Sequence, residues 1–493
     1  MFKMSRFQKH IISKYFRRCF RAFSSVLCTA GLMTMGITAV PAPDARAASF
    51  AEREQRLEQQ RAMPVQSNEI PNWPAGPVVN AESAILMEAD TGVILYSKNI
   101  HQKEYPASTT KTLTALIVSE QCQLDEIVTF SHDAVFDTPR DSSHIAMDVG
   151  QELTLEQSLQ AILICSANEV CYALAEHITH TTDWSVFAEI MNERAKELGC
   201  LNSHFANPNG LPDEDHYTTA YDLAMIGRAF FANELLCKIT TTRRMEFPAT
   251  DKLPLGKLEN NQMKIIPGGE YAYEGLVGCK TGFTDDARYC LVSCAEKNGM
   301  KLICVVMRDE QPYQYEDTIA LFDYGFANFE KINVSQQETK YDIDNTSIFA
   351  GGNNTSGSSQ PLLSLDKDDC IILPKTIPFE SAESTISYDQ TDGNQAAVIS
   401  YSYHGMNLGT AGVNFTAVKN APSIFDVMPE EEPEKSFVFI NIRPFLIIVG
   451  ILAGAAVLWL GSRAFLRYYA VPESSARRRR RANARRRRRR RRR

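Results

Sequence analysis

Three short motifs, Ser108-Thr109-Thr110-Lys111, Ser166-Ala167-Asn168 and Lys280-Thr281-Gly282, follow one another along this chain. Any fold that gives them a joint purpose must draw three distant segments to one place. Singly they are weak: Ser97-Lys98-Asn99 also fits S-x-N, and Ser364-Leu365-Asp366-Lys367 also fits S-x-x-K. Order and local context therefore carry the reading. Ser and Lys at i and i+3 lie one turn apart on a helix face, where the amine reaches the hydroxyl. Pro106-Ala107-Ser108 opens a helical pattern through Lys111, Leu113, Leu116 and Ile117, so Ser108 sits near the positive end of a helix dipole. Ser166 and Asn168 fall at the break between two helical segments, 155–165 and 169–178. Lys280-Thr281-Gly282 ends a strand whose alternate residues share a face, and Gly282 admits another backbone closely. The second S-x-x-K, at Ser364, precedes Asp368 and Asp369 with no later S-x-N or K-T-G and reads as a loop.

The surrounding pattern supplies a scaffold. The apolar runs 84–89 and 93–96 are joined by Asp90-Thr91-Gly92, a hairpin signal. Helices are predicted over 155–165, 169–178 and 184–198. Strands follow over 275–281, 289–295 and 301–307, and a closing helix over 315–329 repeats apolar positions at Ile319, Phe322, Phe326 and Phe329. Two strands early, helices between, three strands late and a final helix predict an α+β fold, an antiparallel sheet with helices packed on it. Beyond Val334, a Gly, Ser and Asn-rich stretch precedes short strand-like runs, which predict a small β-rich domain over 334–421. No internal repeat stands out.

Charge is distributed in blocks. Residues 1–47 carry 8 Lys/Arg against 1 acid and 441–493 carry 17 against 1. The middle, with 27 basic and 57 acidic residues, is then about 30 net negative. Such a body repels nucleic acid, and no nucleic-acid partner is expected. The basic N-terminus, the mostly apolar 22–40 and Ala45-Arg46-Ala47 predict a signal peptide over 1–47, followed by a polar spacer over 48–77. The catalytic domain is expected over 78–333. An acidic tether is expected over 422–444. At 445–462 a charge-free run of 18 residues spans about 27 Å, enough for a single transmembrane helix. The Arg-rich tail, 463–493, is then cytoplasmic and the acidic body outside. The tail reads first as a stop-transfer signal. Ten of the twelve cysteines lie beyond the signal region, without a C-x-x-C pair and histidine partner, so neither zinc nor any other metal is indicated.

A serine hydroxyl is a poor nucleophile until a base takes its proton. Lys111 does so only when neutral, and burial together with a neighbouring cation, for which Lys280 is the candidate, lowers a lysine pKa. Ser166 is placed to relay a proton, and Asn168 to bond both Lys111 and a substrate amide. Backbone N–H groups of Ser108 and Phe283 are the candidate oxyanion donors.

With those residues placed, the chain resembles the D-alanyl-D-alanine carboxypeptidases of the low-molecular-weight penicillin-binding proteins. The likeness covers about residues 78–331. It extends to Pro106-Ala107, Met191-Asn192 with Ala195 and Leu198-Gly199, 205–211 (Phe-Ala-Asn-Pro-Asn-Gly-Leu) and 216–220 (His-Tyr-Thr-Thr-Ala) with Asp222. The resemblance implies a β-lactamase/transpeptidase-like fold, a β-rich C-terminal domain and a membrane attachment. It implies removal of the terminal D-alanine from peptidoglycan stem pentapeptides through an acyl-enzyme on Ser108, without a cofactor. Ser108, Lys111, Ser166 and Asn168 are then catalytic, and Lys280, Thr281, Gly282 and Phe283 bind substrate. β-Lactams would acylate the same serine, and His216 and Asp222 would be architectural. Two positions depart from the family pattern. Arg288 stands where a glycine is usual, and Gln314 where an arginine usually grips the substrate's terminal carboxylate. Arg288 and Arg308 are the candidate substitutes. A D,D-endopeptidase, a β-lactamase, and a non-catalytic penicillin-binding scaffold are the alternatives; the β-lactamase is disfavoured because no carboxylate is clearly placed to activate a deacylating water, although Glu169 directly follows the S-x-N motif.

Overall fold

The computed structural model describes residues 43–247, 249, 256–341, 343, 363–388 and 395–415. Strands β1 (Ser83–Glu88) and β2 (Ile94–Lys98) form the expected hairpin. Its turn needs Gly92, at φ +75°, and is fixed by Glu88, whose carboxylate accepts from Thr91 N–H and hydroxyl at 2.7 Å. Small pairs follow: β3 (Ile127–Thr129) with β4 (Glu152–Thr154), and β5 (Arg244–Phe247) with β6 (Lys257–Asn260). The long strands β7 (Leu276–Thr284), β8 (Arg288–Lys297) and β9 (Met300–Asp309) complete an antiparallel sheet in the order β2-β1-β9-β8-β7.

Both faces of this sheet are covered, which its alternation explains. Ile85, Met87, Val292, Cys294, Ile303 and Val305 share one cluster with the helices Leu155–Ile164, Asn168–Thr179, Ala220–Phe231 and Glu234–Thr241. The intervening Ala84, Leu86, Leu291, Leu302, Cys304 and Val306 pack instead with Leu321 and Phe322 of the helix Tyr313–Asn328. The helix Lys111–Gln121 uses Leu113 and Ile117 to meet Phe187 and Met191 in a third cluster. The helix Leu155–Ile164 starts with a capping box between Thr154 and Gln157. The α+β, antiparallel class is the one expected.

Three expectations change. The stretch 48–77, expected as a polar spacer, is ordered: a helix runs Pro43–Arg61, Leu57 is fully buried, and Trp73 donates its indole N–H to Leu95 O at 3.0 Å. Its arginines have a specific partner, since Arg53 and Arg56 both pair with the buried Glu310, and mean polarity conceals such pairing. Ser364, expected in a loop, lies in β11 (Leu363–Leu365) opposite Asn414. The boundary expected at 334 is bridged by pairing: β10 (Phe329–Asn333) joins β12 (Cys370–Pro374). β11 and the later strands β13 (Glu383–Ser387), β14 (Gln395–Tyr403) and β15 (Met406–Phe415) form a sheet whose Leu365, Ile399 and Leu408 share the Phe322 cluster. Among the described residues no helix is long and apolar enough to cross a membrane. The segments expected as signal peptide, tether, membrane helix and Arg-rich tail lie outside the described residues, apart from the start of the Pro43–Arg61 helix.

Candidate active site

Ser108 sits half-buried in a short 3-10 turn, Ala107–Thr110, that leads into the Lys111–Gln121 helix. The turn is held from outside. Ala107 adopts φ +49°, a left-handed conformation costly for a residue with a Cβ. Gly210, at φ +83°, lies so close to it that an added Cβ would fall 1.8 Å from Ala107 O. Gly282 of β7 closes the other side, its missing Cβ 2.9 Å from Pro106 O and 3.0 Å from Ser108 N. Two glycines therefore let a loop and a strand press backbone to backbone against the serine's turn.

Lys111 is fully buried, and its Nζ donates to Ser108 Oγ at 2.8 Å, Asn168 Oδ1 at 2.7 Å and Asn209 O at 2.8 Å. Asn209 is supplied by the loop 205–211, and the residues around it show why its sequence is so particular. Asn192 brackets Phe205, accepting from its N–H at 2.8 Å and donating to its O at 2.9 Å. Thr114 donates to Pro208 O at 2.6 Å. His216 Nδ1 accepts from Ala206 N–H at 3.1 Å, so Nε2 carries the ring proton and donates to Thr110 Oγ1 at 2.9 Å. Burial holds this imidazole neutral, pushed down to about 4. Asp222 accepts from Asn202 N–H at 2.8 Å and Ser203 Oγ at 2.7 Å. Sequence motifs identified the loop but not the Asn209 carbonyl, a backbone group that no residue identity announces. The only local signal is the turn-forming Asn-Pro-Asn-Gly.

Lys280 is 1% exposed and donates to Ser166 Oγ at 3.2 Å and Thr281 O at 2.7 Å. Burial pushes Lys111 down to about 8, and burial with the Lys111 charge pushes Lys280 to about 7. Both buried amines therefore lose their protons more readily than an exposed lysine does. Three acceptors surround Lys111 Nζ and two surround Lys280 Nζ. Ser166 is at φ +58°, which sets its hydroxyl at the break between helices.

Ser108, Ser166, Lys280, Thr281, Gly282 and Phe283 line one cleft of about 490 Å3, with Gln314 and Tyr315 at its wall. Lys111 and Asn168 stand behind it and reach it through Ser108. The expected substitutes for a carboxylate grip are committed elsewhere. Arg288 pairs with Glu310 at 3.1 Å and Arg308 with Glu82 at 3.3 Å, and neither lines the cleft. Gln314 is 2% exposed, and its Oε1 has no hydrogen-bond partner. Glu169 does not line the cleft; its Oε1 accepts from Ile145 N–H at 2.7 Å.

A hydroxyl bonded to a buried, easily deprotonated amine, under a strand edge in an open cleft, defines a serine acyl-transfer enzyme. The pattern shared by D-alanyl-D-alanine carboxypeptidases matches residues 70–311. The chain is 34% identical to the D-alanyl-D-alanine carboxypeptidase DacF of Bacillus subtilis over 51% of its length and 63% of the relative's. It is 30% identical to a carboxypeptidase of the same name, DacB2, from Mycobacterium tuberculosis over 52% of its length and 84% of the relative's. Its fold is also that of the carboxypeptidase DacD from Francisella tularensis, at a TM-score of 0.53 and 23% identity over 70% of this chain and 94% of that one. The chain belongs to the D-alanyl-D-alanine carboxypeptidase family.

Proposed function

We propose that this enzyme removes the terminal D-alanine from peptidoglycan stem peptides through an acyl-enzyme on Ser108. The observation that carries the reading is the 2.8 Å contact between Lys111 Nζ and Ser108 Oγ, at the floor of a cleft wide enough for a peptide. Neutral Lys111 takes the hydroxyl proton as Oγ attacks the penultimate carbonyl. The oxyanion faces the N–H groups of Ser108, at a first helical turn, and of Phe283 on β7. Collapse breaks the C–N bond. The departing amine receives a proton from Lys111, or through the Ser166 hydroxyl that Lys280 touches. Water then repeats the sequence in reverse on the ester. A β-lactam places its carbonyl at the same point and acylates Ser108.

Gln314 favours a second reading of specificity. Its neutral amide cannot reproduce the bidentate guanidinium–carboxylate pair that would hold a free terminal carboxylate. An internal peptide bond, as a D,D-endopeptidase cleaves, is compatible with that wall. The charge pattern of the sequence supports an extracytoplasmic body anchored by 445–462 with the Arg-rich tail inside.

The test has two arms. Ser108→Ala is expected to abolish covalent labelling by a fluorescent penicillin while Ser364→Ala leaves it intact; labelling retained in Ser108→Ala refutes the nucleophile. Release of D-alanine from a pentapeptide ending in D-Ala-D-Ala then separates carboxypeptidase from endopeptidase or non-catalytic scaffold, both of which label without releasing it.

A further inference from the structure

The spacing of cysteines in the sequence indicates no metal, because the ligands that the fold assembles are not neighbours in it. Cys122 terminates the Lys111–Gln121 helix, Glu126 directly precedes β3, and His177 lies in the last turn of the helix Asn168–Thr179. One ligand atom from each, a thiol sulfur, a carboxylate oxygen and an imidazole nitrogen, lie within 4.8 Å of one another. Glu126 Oε2 and His177 Nε2 are 2.8 Å apart. All three side chains are partly accessible, those of His177 and Glu126 at 22% and 39%.

We propose that Cys122, Glu126 and His177 form a zinc site on the face of the molecule away from Ser108. The donor set is the reason for the metal. A sulfur, an imidazole nitrogen and one carboxylate suit Zn2+, whereas Ca2+ and Mg2+ demand oxygen shells. Tetrahedral coordination at 2.0–2.3 Å would separate the ligand atoms by about 3.3–3.8 Å. The Glu–His pair opens by roughly half an ångström and the sulfur closes by about one at most, within the reach of partly exposed side chains. Three protein ligands leave the fourth position to water, which the accessibility of the site permits. Glu126 is already oriented for this: its other oxygen accepts from Gln123 N–H at 2.5 Å, the kind of outer partner that aims a metal ligand. On binding, the Cys122 thiol proton goes to solvent and no group is oxidised or reduced.

The consequence follows from the two helices. Lys111 opens one and Asn168 opens the other, and the two are hydrogen-bonded to each other at that end. The metal would fasten them at the opposite end, about 16 Å along the first helix. It is a clip on the helix pair that positions the active-site amine, not a participant in acyl transfer.

The test uses the full chain without a histidine tag, stripped with chelator. Zn2+ titrated by calorimetry is expected to bind at one equivalent and to raise the thermal midpoint. Co2+ is expected to give a thiolate-to-metal charge-transfer band. Cys122→Ser removes the band and the equivalent, and His177→Ala weakens zinc binding about tenfold or more. Fluorescent penicillin still labels both variants, which shows that they are folded. Zinc binding unchanged in Cys122→Ser would overturn the site, as would absence of binding by wild-type protein that labels normally; the Glu126–His177 pair would then be an ordinary ion pair beside a bystander thiol.

Discussion

Acylation of Ser108 should be governed by the protonation of one buried amine. Lys111 accepts the serine proton only when neutral, and its burial sets its pKa at about 8. The neutral fraction is then about 9% at pH 7, about half at pH 8 and about 91% at pH 9. The second-order rate constant for acylation by a fluorescent penicillin should therefore rise about tenfold between pH 7 and pH 9, and fall by about one decade per pH unit below 7. Rapid-quench labelling with gel quantitation across pH 6 to 10 reads this directly. Lys280→Arg sharpens the test. Burial and the Lys111 charge push the Lys280 amine down to about 7, whereas a guanidinium stays charged throughout. A fixed cation disfavours the Lys111 ammonium, so the midpoint should move below 8. A rate that is flat from pH 6 to 9 in the wild type would refute neutral Lys111 as the proton acceptor.

Gly282→Ala places a Cβ 3.0 Å from the Ser108 and Thr109 amides and 2.9 Å from Pro106 O; the strand must retreat, and penicillin acylation should slow by at least about tenfold while the thermal midpoint falls. His216 is neutral when folded, with its pKa lowered to about 4 from an ordinary 6.5. Its stabilisation is complete above pH 6.5 and is lost as pH falls, by about 3 kcal/mol at pH 4. Urea unfolding at pH 7 and pH 4 should show that share of the acid loss disappearing in His216→Gln, and equal losses in both proteins would contradict it. Gln314→Arg should increase D-alanine release from a pentapeptide with a free carboxylate, chiefly through a lower KM; unchanged kinetics would remove Gln314 from the specificity argument.

The parts of this molecule legible in its sequence are those where chemistry and geometry coincide locally. Ser108 and Lys111 touch because a helical turn separates them, and β8 and β9 follow from apolar runs that end at Asn298-Gly299. What escaped has two physical sources. Backbone groups carry no residue signature, so the Asn209 carbonyl that completes the Lys111 shell was invisible. Long-range polar pairing was equally hidden: Glu310 draws Arg56 from 254 residues away, and the segment that supplies that arginine looks like a linker when judged on polarity alone. The lowering of both lysine pKa values needed the third dimension as well, because it comes from a burial that no local run of sequence reveals. Cys122 and His177 meet only because their helices pack.

The position of β1 has a consequence for the history of each molecule. A chain made N-terminus first completes β1 early, yet its neighbours in the sheet are β2 on one edge and β9 on the other. Every residue of β1 is buried in the finished fold. Until Met300–Asp309 has been synthesised, that hydrophobic strand has an open edge able to pair with any other extended chain. So wide a separation in sequence between paired strands is the kind of non-local contact that slows folding. The same sheet that grips the active-site strand so firmly is, for the newborn chain, its most exposed hazard.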